Sequence, residues 1–294
     1  MKDYIISCCS TADLPKSYFE KRDIKCAMFP FFIDGKEYKD DLYQSRTPKE
    51  FFKLIADGAA PTTAAIPPED YISLWKPYLD SGKDILHIAL SGGISGTFNC
   101  AVVAKSRILK EYPDRTIVVI DSLCASTGFG MLVDAAVCNR DNGMTLRENE
   151  RWLKENLLRL NQWFFVSDLT CLIRGGRVDK ASGFLGSALN ICPLLKVNSE
   201  GKLIRVSRSF GKKKVIQDIV KTMKKWCTDG ENYSGKVFIS HSDCIEDATA
   251  VKELVLSTFK NVTEVNISDI GAGIGSHTGP GTVCLFFWGK ERTL

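Results

Sequence analysis

The chain has 294 residues, 44% of them apolar and 25% charged, with a formal net charge of +4. That length exceeds one usual hydrophobic core, and the composition is that of an ordinary globular protein rather than a disordered or fibrous one. Lys and Arg are scattered apart from Lys212 to Lys214, which argues against a nucleic-acid groove, and no apolar run approaches the roughly 20 residues that span a bilayer.

The eleven cysteines are odd in number, form no C-x-x-C pair and follow no secretory leader before Tyr4. Reduced thiols in a cytoplasmic protein are expected, without a zinc site. Most sit in apolar runs, as Cys8, Cys100, Cys138 and Cys284 do, where a free thiol packs as a small hydrophobe.

In chain order, Tyr4 to Cys8 reads as a buried strand feeding a loop through Ser10 to Pro15. Cys26 to Ile33 reads as a second strand closed by an Asp34-Gly35 turn. Thr47-Pro48-Lys49-Glu50 carries a hydroxyl cap, a proline at the first helical position and a carboxylate at the third, so a helix is predicted to about Asp57. Pro68 to Leu79 is predicted helical, Asp84 to Leu90 a strand, Gly96 to Tyr112 a helix and Thr116 to Asp121 a strand. Helices follow over Ser126 to Val137 and Leu146 to Leu160. Alternation at this pitch predicts a mostly parallel sheet flanked by helices.

A change of character falls near Leu160, dividing an N-terminal α/β domain (1–160) from a C-terminal one (161–294). Trp163 to Val166 is a predicted strand, and Leu169 to Leu189 is read as helical around a Gly-Gly break. Leu194 to Val197 and Leu203 to Ser207 form a hairpin across Asn198 to Gly201, which requires antiparallel pairing and therefore a mixed sheet. Lys212 to Cys227 and Ile245 to Phe259 are predicted helices. Val237 to Ser240, Val262 to Ile267 and Thr282 to Trp288 are predicted strands.

Three segments carry chemistry where α/β proteins place ligands: Pro61-Thr62-Thr63, Ser91 to Thr97, and Gly271 to Gly281. The second joins a strand to a helix, a place where backbone N–H groups meet an anion; in the alternative, Gly92 and Gly93 make the turn and Ser95 caps the helix. No phosphate-loop motif is present, so a nucleotide is not indicated. In the third, His277 stands in what reads as an irregular glycine-rich loop, available to a ligand. His87 reads as a packed strand residue and His241 as a strand-end residue. His241, Asp243 and Cys244 are better explained as a helix start than as metal ligands.

These segments resemble the DegV family along nearly the whole chain. Ser7 to Pro15 is similar to its D-S-x-x-D-L-P opening, Pro61 to Ile66 to its T-S-Q-P segment, and Ser91 to Thr97 to S-S-x-L-S-G-T. Asp121-Ser122 with Ser126, Gly128 and Gly130 is similar to D-S-x-x-x-S-x-G-x-G, and Leu172 to Val178 to L-x-x-G-G-R-I. Leu189 to Pro193 is similar to L-N-I-K-P and Gly275 to Gly281 to G-x-H-T-G-P-G. The chain departs from the pattern at Cys9, where the family has Asp, and at Ala64-Ala65-Ile66, which replaces Ser-Gln-Pro.

The resemblance implies a two-domain α/β fold that binds a long-chain fatty acid such as palmitate in a buried tunnel. It implies Thr63 and Ser95 as carboxylate ligands, with His277 and Arg174 or Arg177 in the head-group network or on the face offered to a separate fatty acid kinase subunit. It implies no cofactor, no metal and no catalysis by this chain, and transient contact with a membrane surface to collect the lipid. Roughly 14 buried methylenes at about 0.8 kcal/mol each supply on the order of 11 kcal/mol before ordering costs. Phe29 to Phe32, Trp163 to Val166, Phe184 to Leu189 and Leu285 to Trp288 are the candidate walls. The competing readings are a hydrolase or phosphotransferase using Ser95 and His277, and a stand-alone lipid sensor.

Overall fold

The structure, a computed structural model, describes residues 3–179 and 190–294. The first half runs β1 (Tyr4–Cys9), α1 (Lys16–Lys21), β2 (Ile24–Ala27), β3 (Phe29–Ile33), β4 (Lys36–Asp40), α2 (Pro48–Ala56) and β5 (Thr62–Thr63). It continues through α3 (Pro68–Asp80), β6 (Asp84–Ala89), α4 (Thr97–Ile108), β7 (Ile117–Asp121), α5 (Ser126–Asp141) and α6 (Leu146–Asn156). The second half comprises β8 (Leu160–Phe165), α7 (Thr170–Arg174), β9 (Ile191–Val197), β10 (Leu203–Phe210) and α8 (Lys212–Trp226). It ends with β11 (Val237–His241), α9 (Ile245–Thr258), β12 (Val265–Asp269), α10 (Ala272–Thr278) and β13 (Val283–Trp288).

Two α/β domains result. The first is built on a parallel sheet in the order β2-β1-β6-β7, with a small antiparallel sheet β4-β3-β5 beside it. The second is a six-stranded mixed sheet, β10-β9-β8-β13-β11-β12, in which only β11 and β12 pair in parallel. Every strand of the mixed sheet lies from Leu160 onward and every strand of the other two before it.

Local chemistry fixes many of these elements. The Thr47 cap is complete: Thr47 Oγ1 accepts from the Glu50 N–H at 3.3 Å and Glu50 Oε2 from the Thr47 N–H at 2.9 Å. The Asp34-Gly35 turn has positive φ at both residues (50° and 78°), the geometry of a tight hairpin, and it joins β3 to the very polar β4. Along β8 and β13 alternate side chains part company. Phe164 and Phe286 join the core shared with the first domain, whereas Trp163, Phe165, Leu285 and Phe287 pack on a second core with α8 and α9.

Four sequence expectations are corrected. The strand expected over Cys26 to Ile33 is two strands in different sheets, because the apolar run continues through Met28 while the chain leaves the parallel sheet there. The helix expected to Leu160 ends at Asn156, and after a short 3-10 turn Leu160 already opens β8. Of the helix expected over Leu169 to Leu189, the described residues contain α7, which stops where Gly176 turns to φ +70°; residues 180–189 lie outside the described residues. The strand expected over Val262 to Ile267 is Val265–Asp269, because Val262 is buried in the second core instead of joining the sheet.

Candidate ligand-binding site

Between the parallel sheet's loop ends and the inner face of the mixed sheet lies a narrow cavity of about 70 Å³. Thr63, Ser95, Arg177 and His277 give it one polar group of side chains. Leu90, Ile94, Phe164, Leu172, Val197, Leu203, Ile274 and Phe286 supply most of the rest, with Phe29 and Cys284.

Thr63 is placed by β5, whose pairing to β3 sets it opposite Phe31. Its Oγ1 lies 2.7 Å from His277 Nε2, across 214 residues of sequence. His277 comes from α10, a short helix where an irregular loop was expected. Glycine is a poor helix former, but here tertiary contact requires it: a Cβ at Gly275 would lie 2.8 Å from Phe52, and one at Gly273 2.8 Å from Thr11. Close approach recurs at Gly175, where a Cβ would meet His277 Nδ1 at 2.2 Å. Burial, aided by the Arg177 and Arg174 guanidiniums, pushes His277 down to about 4, so at neutral pH the ring is uncharged. Among the described residues its Nδ1 has no partner.

The Ser91 to Ser95 turn is not a ready-made anion nest. Its N–H groups are committed within the protein: Gly92 to the Asp121 carboxylate (3.1 and 3.2 Å), Gly93 to Ser91 Oγ (3.1 Å), and Ile94 and Ser95 to Ser91 O (3.2 and 3.1 Å). The glycines serve a close approach instead. The β9–β10 hairpin turn rests on them, with a Cβ at Gly93 only 2.6 Å from Glu200 O, and Ser91 Oγ donates to Gly201 O at 2.9 Å. Ser95 Oγ accepts from the Thr97 N–H (3.2 Å), lies 2.8 Å from Thr97 Oγ1 and borders the cavity.

Arg177 borders the same end, donating from Nε to Ile94 O (3.1 Å) and from Nη1 to Gly175 O (2.5 Å). Arg174 is separate: it is exposed on α7, donates to Cys171 Sγ at 3.6 Å and does not line the cavity. Nor are Ser95 and His277 arranged as a nucleophile and its base, since each is bonded to a different threonine. Of the expected walls, Phe29, Phe164 and Phe286 contribute; Phe184 to Leu189 lies outside the described residues. Leu90, Ile94, Ile274, Leu203, Ser126 and Gln162 were not foreseen as lining. Ser126 and Leu172 did stand in family-like segments. Among the described residues, no group of three His, Cys, Asp or Glu could hold a metal ion, and no helix is long and apolar enough to cross a membrane.

A family profile described as "Uncharacterised protein, DegV family" matches residues 6–290. A DegV domain-containing protein of Clostridium perfringens is 35% identical over 292 residues, 99% of each chain. A solved structure described as fatty acid binding of a DegV family protein from Thermus thermophilus superposes with a TM-score of 0.86 at 29% identity, covering 98% of this chain and all of that one. The Streptococcus pneumoniae fatty acid kinase (Fak) B3 protein, solved loaded with linoleic acid, shares the fold (TM-score 0.83, 21% identity, 99% of this chain and 100% of that one).

Proposed function

Because this chain belongs to the DegV family, we propose that it binds a long-chain fatty acid in the cavity between its domains, divided at 160/161. The carboxylate is held at Thr63 and Ser95 and the acyl chain, of about the length of palmitate, runs along the apolar wall. The observation that carries this reading is the cavity's lining: Thr63 bonded to His277, with Arg177 beside Ile94 and Ser95, forms one polar group, and apart from Ser126, Gln162 and Thr278 the remaining lining is apolar. Such a lining suits a ligand that is charged at one end only. The fatty-acid-binding Thermus relative supports it.

The chain carries its ligand rather than transforming it, and presents it to a separate kinase subunit, as the fold likeness to the Fak B3 protein suggests. The exposed Arg174 belongs to the partner face and Arg177 to the head-group network. Eleven unpaired thiols suit a reducing cytoplasm, and the lipid is collected by brief contact with a membrane surface.

Calorimetry of palmitate on delipidated protein tests the site. Hydrogen bonds to a charged acceptor contribute about 1.5–3 kcal/mol each, so Thr63→Ala and Ser95→Ala should each weaken binding about tenfold or more while the fold stays intact. Unchanged affinity in the double variant would refute the assignment.

A further inference from the structure

Two buried carboxylates outside the cavity converge on the start of the helix that carries His277. Asp13 follows β1 and Asp40 ends β4, and their relative exposures are 5% and 2%. Asp13 Oδ1 accepts from the Gly271 N–H at 2.9 Å and Asp40 Oδ2 from the Gly273 N–H at 3.1 Å; Asp40 also accepts from the Ala272 N–H. Gly271 is wedged between the pair: a Cβ there would stand 2.6 Å from Asp13 Oδ1 and 2.9 Å from Asp40 Oδ2. The first N–H groups of a helix lack partners inside it, and two carboxylates from the other domain take them. Asp13 is itself braced by Ser126 Oγ, which donates to its Oδ2 at 2.5 Å and borders the cavity.

Burying two acids side by side is costly. Burial and the neighbouring Asp40 push Asp13 well above the usual carboxylate range, and burial pushes Asp40 up to about 6. Apolar residues would fill this space more cheaply, so the carboxylates serve to fix something. What they fix is the first turn of α10, and His277 lies in its last turn. From Gly273 to His277 the helix rises only about 6 Å, so a shift at the carboxylates reaches the imidazole.

We propose that Asp13 and Asp40 are positioning residues that seat α10 so that His277 meets Thr63, and that they thereby make the cavity prefer a carboxylate over an uncharged head group. The preference for a carboxylate rests on the fatty-acid reading above; the seating of His277 does not.

The test has two arms, each applied to Asp13→Ala, Asp40→Ala and their Asn counterparts, which keep an acceptor without the charge. In the first, delipidated protein is titrated with palmitate and with hexadecanol, ligands alike in tail and different in head. The Ala variants should lose about tenfold or more in palmitate affinity and less than about threefold for hexadecanol, with partial rescue in the Asn variants. Equal losses for the two ligands, or none, would overturn the preference for a carboxylate. In the second arm, nitrogen-15 spectra of the His277 ring, assigned with His277→Gln, are recorded without lipid. The ring signals should move in the Ala variants and return toward wild type in the Asn variants; identical signals throughout would overturn the seating. Because this arm needs no ligand, it decides the seating even if the wild type binds no palmitate. If the Asp variants do not fold, Gly273→Ala takes their place, since its Cβ would press on Thr11 at 2.8 Å and Asp40 at 3.2 Å and should displace the same signals.

Discussion

At neutral pH the imidazole of His277 carries no charge, which gives the proposed site a proton-linked signature. A carboxylate brought beside the ring favours its charged form and raises its pKa from about 4. A pKa higher in the complex than in the protein alone means that protonation favours binding. Palmitate affinity should therefore rise as pH falls from 7 toward about 5, below which the fatty acid's own carboxylate begins to protonate and the gain is lost. Calorimetry in buffers of different ionisation heats should detect net proton uptake in the wild type and none in His277→Gln; equal uptake in both would remove His277 from the head group's surroundings. Buried His87 provides the contrast. It bonds Ser7 Oγ at 2.9 Å and is pushed by burial down to about 3, the packed strand residue the sequence predicts. Which histidine borders the cavity was legible because His277 stands among glycines; that it would bond Thr63 was not, because the two are far apart in sequence and no local rule joins them.

Elements with a local cause were legible, such as α2 with its threonine cap and the β9–β10 hairpin. Helix α10 was not, because seven residues including Gly273 and Gly275 have weak helical preference and take their shape from Phe51, Phe52, Thr11 and the two carboxylates. The glycine turn before α4 stays open in the sequence between an anion site and a plain turn, because a turn that receives a hairpin and a turn that receives an anion have the same sequence. The difference is measurable. A methyl group at Gly93 would meet the backbone of Glu200 and Gly201 at 2.6–2.9 Å, so Gly93→Ala should cost about 1–3 kcal/mol by denaturant unfolding. Gly35, at φ +78° with nothing within 4 Å of such a methyl, should cost only about 1 kcal/mol through its backbone. A neutral Gly93→Ala would mean that the hairpin does not bear on this turn.

At the scale of the whole molecule, the alternation of strands and helices announced a parallel sheet followed by a mixed one, but not how the domains grip each other. One polar part of that grip is Arg292, which is 5% exposed. It donates to Leu123 O and Asn198 O at 2.8 Å and to Leu157 O at 3.2 Å, tying the loop after β7 to the hairpin turn. Nothing in a lone arginine near the chain's end signals this, because its partners are carbonyls, which every residue carries. Arg292→Ala should lower stability by about 1–3 kcal/mol in urea unfolding, since it leaves the buried Asn198 carbonyl and the partly buried Leu157 carbonyl without this donor. A loss below about 1 kcal/mol would show that the domains hold together without it.

The order of strands in the mixed sheet also bears on how the chain is made. Strand β13 comes last in sequence yet sits between β8 and β11, and it brings Cys284 and Phe286 to the cavity wall. As the polypeptide leaves the ribosome, β8 and β11 must each wait with an unpaired edge, a state prone to wrong partners. The wall of the cavity is therefore incomplete until β13 has emerged and taken its place between them.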